Sequence, residues 1–222
     1  MTRTVIFDLD GTLADTSADL IAAANGCFRG LGCGDVLDPA RDAVTAFNGG
    51  RAMLRLGFAR MQARWTEAEV DAQYPVLLAA YAQDIDRHTR LYPGVELALL
   101  RLLAAGYQLG ICTNKPEGLA ETLLTRLGVR GMFASLIGAD TLPVRKPDPA
   151  PYFEAVRRAG GRPERSLLIG DTVTDRDTAR AAGVPVVLVT FGPTGRAVAA
   201  LNPAALLRHY DDLADIVAGL AL

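Results

Sequence analysis

Four short stretches of this sequence gather carboxylates, a hydroxyl, an amide and an ammonium at close spacing. Asp8-Leu9-Asp10-Gly11-Thr12 sets two carboxylates two residues apart, then a glycine that lets the backbone turn and bring its amides close to a ligand. Thr113-Asn114 offers a hydroxyl and an amide, Lys146-Pro147 an ammonium, and Gly170-Asp171-Thr172-Val173-Thr174-Asp175 two further carboxylates. The chain has 23 basic residues, of which only Lys115 and Lys146 are lysines, and each of these precedes a proline. One carboxylate can attack as a nucleophile while a second serves as general acid and then as general base. A divalent cation and a lysine can neutralise the equatorial oxygens of a transferring phosphoryl group. Clustered carboxylates repel one another unless a cation sits among them, and hard oxygen ligands that keep some waters suit Mg²⁺. Phosphate monoesters are among the slowest compounds to hydrolyse unaided, so splitting the step through an aspartyl phosphate is a sound chemical solution.

These residues are useful only if the chain delivers them to one place, and the order of predicted elements does so. A β-rich run over residues 3–9 comes first. About 75 residues without a convincing strand follow, with apolar residues at helical spacing, such as Ile21, Ala24, Cys27, Phe28 and Leu31, or Val76, Leu77, Ala80 and Tyr81. Strand and helix then alternate: helix 95–105, strand 107–113, a helix from near Pro116, a strand near 135–138 and a helix over 148–159. Strand 166–170, helix 175–182, strand 185–190 and a closing helix over 211–220 complete the series. The runs Leu167-Leu168-Ile169 and Val186-Val187-Leu188-Val189 do not alternate in polarity, as expected of strands buried on both faces of a parallel sheet. The expected fold is a doubly wound parallel α/β core, residues 1–14 and 89–222, with an inserted all-helical domain over 15–88. In such sheets ligands bind beyond the carboxyl ends of the strands. Asp8 and Asp10, two apart on a strand, are expected to face the same side there.

Composition narrows the function classes. Hydrophobic residues make up 50% and charged residues 22% of the 222-residue chain, a globular balance long enough to bury a core without disulfides. A formal net charge of -2 argues against a nucleic-acid or membrane-surface partner. The longest uncharged stretch, Ala181–Gly195, is broken by Gly183, Pro185, Gly192 and Pro193, so no transmembrane helix is expected. The apolar run ahead of Asp8 is too short for a secretory leader. Cys27, Cys33 and Cys112 form an odd set without Cys-x-x-Cys spacing, which reads as reduced thiols in a cytoplasmic protein. The Gly30-Leu31-Gly32-Cys33-Gly34 cluster follows a helix and reads as a helix end and turn, not a phosphate loop.

In order and spacing, the four stretches resemble the motifs of the haloacid dehalogenase superfamily of phosphohydrolases, and the helical insert is similar to that family's small helical cap. The resemblance implies that Asp8 is the phosphorylated nucleophile and a Mg²⁺ ligand. It also implies that Asp10 is the acid/base, with its backbone carbonyl on the metal. Thr113 and the backbone amide of Asn114 would hold phosphoryl oxygens, Lys146 would neutralise Asp8 and the phosphate, and Asp171 would complete the metal shell. Asp175 would act one layer further out; an acid in the first turn of a helix is an alternative account of it. A helix cap ahead of Pro116 is the alternative for Thr113 and Asn114. Lys115 is the second choice for the catalytic ammonium, or a residue lining the entrance.

Within the superfamily, Thr113-Asn114-Lys115-Pro116, Phe47-Asn48-Gly49-Gly50-Arg51 and the stretch from Asn202-Pro203 to Tyr210-Asp211-Asp212-Leu213 are similar to phosphoglycolate phosphatases. This points to 2-phosphoglycolate, with Arg51 pairing the substrate carboxylate and Asn48 nearby; a solvated helix face is the alternative for Arg51. Another small phosphoester or a phosphomutase reaction is the competing activity. The sequence departs from the family pattern at Thr174-Asp175-Arg176-Asp177, where an apolar residue commonly follows the aspartate. The expected partner is a small-molecule phosphoester, and the expected assembly a monomer or homodimer.

Overall fold

In the computed structural model, which describes residues 2–61 and 64–220, the chain forms two compact units. One is Met1–Asp15 with Leu91–Leu222, and the other is Thr16–Arg90. In chain order the elements are β1 (Arg3–Phe7), β2 (Ala14–Asp15), α1 (Ser17–Gly30), α2 (Ala43–Phe47), α3 (Gly50–Arg60), α4 (Glu67–Gln83) and β3 (Arg90–Leu91). They continue with α5 (Val95–Ala104), β4 (Tyr107–Cys112), α6 (Glu117–Arg126), β5 (Ser135–Ile137), α7 (Ala150–Arg158) and β6 (Ser166–Gly170). The last are α8 (Val173–Ala182), β7 (Val186–Val189), β8 (Ala205–Leu207) and α9 (Leu213–Gly219).

The first unit is a parallel sheet of order β5-β4-β1-β6-β7-β8. From the central β1 the chain builds outward through β4 and β5 on one side, then crosses back to β6, β7 and β8 on the other. That reversal opens a crevice beside β1, the usual ligand site of an open α/β sheet. The register aligns Phe7 with both Ile111 and Ile169, so β4, β1 and β6 end level with one another. The non-alternating strand runs are buried on both faces as expected: Leu167, Leu168, Ile169, Val187, Leu188 and Val189 have no exposed surface. Gly183, with φ of 69°, closes α8 in the left-handed region that glycine enters without strain. Burial pushes the Cys112 thiol up to about 12, so it packs as a small apolar group.

Two expectations need correction. The first strand ends at Phe7, so Asp8 and Asp10 sit in the following loop instead of alternating along a strand. The edge strand β8 lies in Asn202-Pro203-Ala204-Ala205-Leu206-Leu207, which has no β-branched or aromatic residue to announce it. Its pairing with β7 makes it a strand.

In the helical unit, α1 and α3 approach closely at Gly57, where a side chain would collide with the Phe28 ring. Phe28 packs edge-on against Phe58, with ring centroids 5.5 Å apart. A capping box of Thr66 and Glu69 starts α4, and Leu77 and Tyr81 bury its inner face while Val76 is exposed. Leu31, past the last turn of α1, is exposed as well. Asp19, 3% exposed, accepts hydrogen bonds from the backbone amides of His88 and Thr89 and from the Thr89 hydroxyl, fastening the end of the unit to its first helix. Asp19→Ala strands these donors in a buried place. It is expected to destabilise the protein by about 2–4 kcal/mol, read as a lower denaturation midpoint, with Asp19→Asn costing less. An unchanged midpoint for Asp19→Ala would remove this carboxylate from the account of the unit's stability.

Candidate active site

The site is assembled where β4, β1 and β6 end side by side. Beyond β1 the ladder extends by one bond, from the Asp8 amide to the Ile169 carbonyl at 2.8 Å. The loop then folds on itself: the Leu9 carbonyl accepts from the amides of Thr12, Leu13 and Ala14, and Gly11 takes a φ of 79°. This turn, not strand alternation, directs the two carboxylates. Its far side is pinned by Tyr210, a buried residue whose hydroxyl donates to the Thr12 carbonyl at 2.8 Å. The C-terminal stretch noted in the sequence thus acts on the loop that carries Asp8 and Asp10.

Lys146 lies at the centre, 3% exposed. Its Nζ is 2.6 Å from Asp175 Oδ1 and 3.1 Å from Asp8 Oδ1. Burial alone would lower the pKa of this ammonium, but Asp175 and Asp8 outweigh it and raise the pKa well above the ordinary value, so Lys146 stays charged. The Lys146–Pro147 peptide is cis, and the Lys146 carbonyl accepts from Asn114 Nδ2 at 3.0 Å. The Asn114 side chain therefore ties the end of β4 to the Lys146 loop. Thr113 is buried, with its hydroxyl oxygen accepting from the Lys115 amide at 3.2 Å. Helix α6 has Pro116 as its N-cap, so neither Thr113 nor Asn114 caps it.

Asp175 is the acid at a helix start that the alternative describes, and the same carboxyl group also reaches Lys146. Its Oδ2 accepts from the amides of Asp171 and Thr172 and from the Thr172 hydroxyl, completing a capping box at the start of α8. Its Oδ1 holds Lys146. Gly170 is required by this packing, because a side chain there would occupy the space of the Asp175 carboxyl group. Gly192 is similar: a Cβ would lie 2.8 Å from the Gly11 carbonyl oxygen and 3.2 Å from Asp171 Cβ.

Carboxylate oxygens of Asp8, Asp171 and Asp175 lie within 4.8 Å of one another. Burial pushes Asp8 up to about 6 even though Lys146 opposes the shift. Burial, then Asp175 and Asp8, raise Asp171 well above the carboxylate range. Three carboxylates against one ammonium leave the cluster short of positive charge. Asp171 Oδ1 accepts from the Thr12 hydroxyl at 3.0 Å, whereas its Oδ2 is buried without a hydrogen-bond partner among the described residues. An orphaned hard oxygen beside crowded carboxylates fits a divalent cation.

The structure thus brings Asp8, Asp10, Thr113, Asn114, Lys146, Asp171 and Asp175 to one end of the sheet. Arg51 and Asn48 are in the helical unit, where the Arg51 guanidinium pairs with Asp71 and lies 4.5 Å over the Tyr74 ring. Lys115 is the residue the sequence left undecided: its ammonium contacts Asp10, at 2.9 and 3.2 Å from the two carboxylate oxygens. Tyr210 belongs to the C-terminal stretch singled out by resemblance, but nothing local gives its contact with the Thr12 carbonyl, and Gly192 carries no local chemical signal. Among the described residues no helix is long and apolar enough to cross a membrane.

Residues 5–189 match the family described as haloacid dehalogenase-like hydrolase. The chain is 42% identical over 211 residues to a phosphoglycolate phosphatase of Mesorhizobium japonicum, covering 94% of this chain and 92% of that one. It is 37% identical to a phosphoglycolate phosphatase of Agrobacterium fabrum, covering 97% and 91%. The crystal structure of a predicted phosphoglycolate phosphatase from Haemophilus somnus superposes with a TM-score of 0.86 at 27% identity, covering 97% of each chain.

Proposed function

The chain belongs to the haloacid dehalogenase-like hydrolases and is a phosphatase of that family, and from this premise we propose that it hydrolyses 2-phosphoglycolate through an aspartyl phosphate. The observation that carries the mechanism is the buried Lys146 ammonium between Asp8 and Asp175, within a cluster of three carboxylates that one ammonium leaves short of positive charge. The substrate rests on the identity to relatives that bear this activity in their names.

In this reading an Asp8 oxygen attacks phosphorus as the bond to the glycolate oxygen breaks, and Asp10 protonates the departing oxygen. Asp10 then takes a proton from the water that attacks the aspartyl phosphate, releasing phosphate and restoring Asp8. Lys146 keeps its proton throughout and offsets negative charge on Asp8 and on the phosphoryl oxygens, while Asp175 fixes where that ammonium points. Thr113 and the Asn114 amide hold phosphoryl oxygens. The Asp8 and Asp171 carboxylates and the Asp10 carbonyl would hold Mg²⁺, which supplies positive charge for the phosphoryl oxygens when bound. Arg51, with nearby Asn48, is assigned to the substrate carboxylate; one guanidinium nitrogen pairs with Asp71 and the plane lies over Tyr74, which leaves further donors of the fork for a carboxylate.

The test is phosphate release across a panel of small phosphoesters, with Mg²⁺ or EDTA. Phosphoglycolate is expected to have the highest kcat/KM, EDTA to remove activity by about 10²-fold or more, and Arg51→Ala to narrow the preference over phosphoesters whose alcohol part carries no charge. Release that persists in EDTA would overturn the cation's part. A different preferred ester would overturn the substrate, and unchanged selectivity in Arg51→Ala would release Arg51 from its assignment.

A further inference from the structure

Lys146 already supplies the ammonium that faces Asp8, which leaves the second lysine to be explained. The Lys115 side chain is 3% exposed, and its Nζ reaches both oxygens of Asp10, a carboxylate with 19% of its side chain exposed. The backbone beneath it is fastened on both sides. Its amide donates to the Thr113 hydroxyl, its carbonyl accepts from the Ala139 amide at 2.9 Å, and Pro116 follows as the N-cap of α6. The stem of Lys115 therefore leaves from a fixed turn at the end of β4, while Asp10 stands on a loop at the end of β1. A two-oxygen contact from a fixed base defines both the place and the plane of that carboxyl group.

We propose that Lys115 is the positioning residue for Asp10, holding its carboxyl group where it meets the leaving oxygen and then the attacking water. This rests on the reading of Asp10 as acid and base. In the first half-reaction an Asp8 oxygen bonds to phosphorus and the bond from phosphorus to the ester oxygen breaks. That oxygen keeps the electron pair and receives the Asp10 proton. In the second, water oxygen bonds to phosphorus, its proton goes to Asp10, and the Asp8 oxygen leaves with its electron pair. Lys115 keeps its own proton in both. When Asp10 carries a proton on one oxygen, the other still accepts from Lys115, so the hold survives each change of state.

The experiment compares kcat/KM for 2-phosphoglycolate and p-nitrophenyl phosphate in the wild type, Asp10→Asn, Lys115→Met and the double variant. This ratio covers the steps through departure of the alcohol, and p-nitrophenolate departs without needing a proton. Asp10→Asn and Lys115→Met are each expected to lose about 10²-fold on phosphoglycolate and far less on the aryl ester. The double variant is expected to be no worse than Asp10→Asn alone, because both changes remove one function. Lys115→Gln keeps a donor of shorter reach and guards against a folding failure of Lys115→Met; it is expected to show the same split with a smaller loss. If Asp10→Asn shows the split while the Lys115 variants lose equally on both esters, or on neither, the positioning role is overturned and the Asp10 reading stands. If Asp10→Asn itself loses equally on both, the acid/base reading falls and the positioning role with it.

Discussion

Asp8→Asn is expected to lower phosphate release from 2-phosphoglycolate by about 10⁴-fold or more, since it removes the group that forms the covalent bond. A neutral carboxamide keeps the shape of the side chain and its hydrogen bond from the Leu9 amide, but its oxygen lacks the negative charge that makes a carboxylate a nucleophile toward phosphorus. The same variant is expected to fold at least as stably as the wild type. Burial raises Asp8 to about 6 even with Lys146 counted, so the folded protein binds this proton more tightly than the unfolded chain does. For an acid raised in the folded state, the stabilising contribution is complete below the unfolded value of 3.8 and is lost as pH rises through about 6. At neutral pH the ionised Asp8 therefore costs stability, and asparagine relieves that cost. Melting in EDTA, where no cation compensates, should give a Tm for Asp8→Asn at or above that of the wild type at pH 7.5, with the difference shrinking toward pH 4. Activity near the wild-type level would overturn Asp8 as nucleophile. A large fall in Tm would mean that the lost activity reflects unfolding.

Lys146→Arg, a change that preserves charge, is expected to cost about 10²-fold or more in kcat/KM. The Nζ fills a closed position between Asp175 Oδ1 at 2.6 Å and Asp8 Oδ1 at 3.1 Å, with the side chain 2% exposed. A guanidinium is broader and planar and presents its donors as a fork, so it cannot place one compact charge between those two oxygens without displacing one of them. Displacing Asp175 would also disturb the capping box of α8, since the same carboxyl group serves both. Lys146→Met goes further. It leaves Asp8, Asp171 and Asp175 without an ammonium and is expected to lower stability by about 3–5 kcal/mol, as removal of one partner from a buried ion pair does. Steady-state kinetics of Lys146→Arg with a denaturation curve of Lys146→Met checks both. Near-wild-type turnover in the arginine variant would show that charge alone is required there.

The legible part of the site consisted of residues whose chemistry is local. Asp8, Lys146 and Asp171 stand out in the sequence because each is a reactive type at the end of a strand or the start of a helix, and strand and helix patterns depend on near neighbours. Asp175 was legible as an acid at a helix start, but its hold on Lys146 was not, because that contact joins residues brought together by the crossing from α7 to β6. The fold class was readable from the alternation of elements and the unbroken apolar runs. β8 was not, because its alanines and leucines become a strand only through the partner β7.

The amino-acid sequence by itself determined the reaction class, the parallel α/β core and the set of groups available for chemistry, since periodicity and residue type are properties of short stretches. Tertiary structure decided which groups meet. The sheet order puts β4 and β6 on either side of β1, and only that order gives Lys146 to Asp8 and Lys115 to Asp10. Two lysines, each followed by proline, are ranked along the chain only by resemblance to the family's motifs. They become different when each is packed against a different carboxylate, because a buried charge takes its role from the partner within reach.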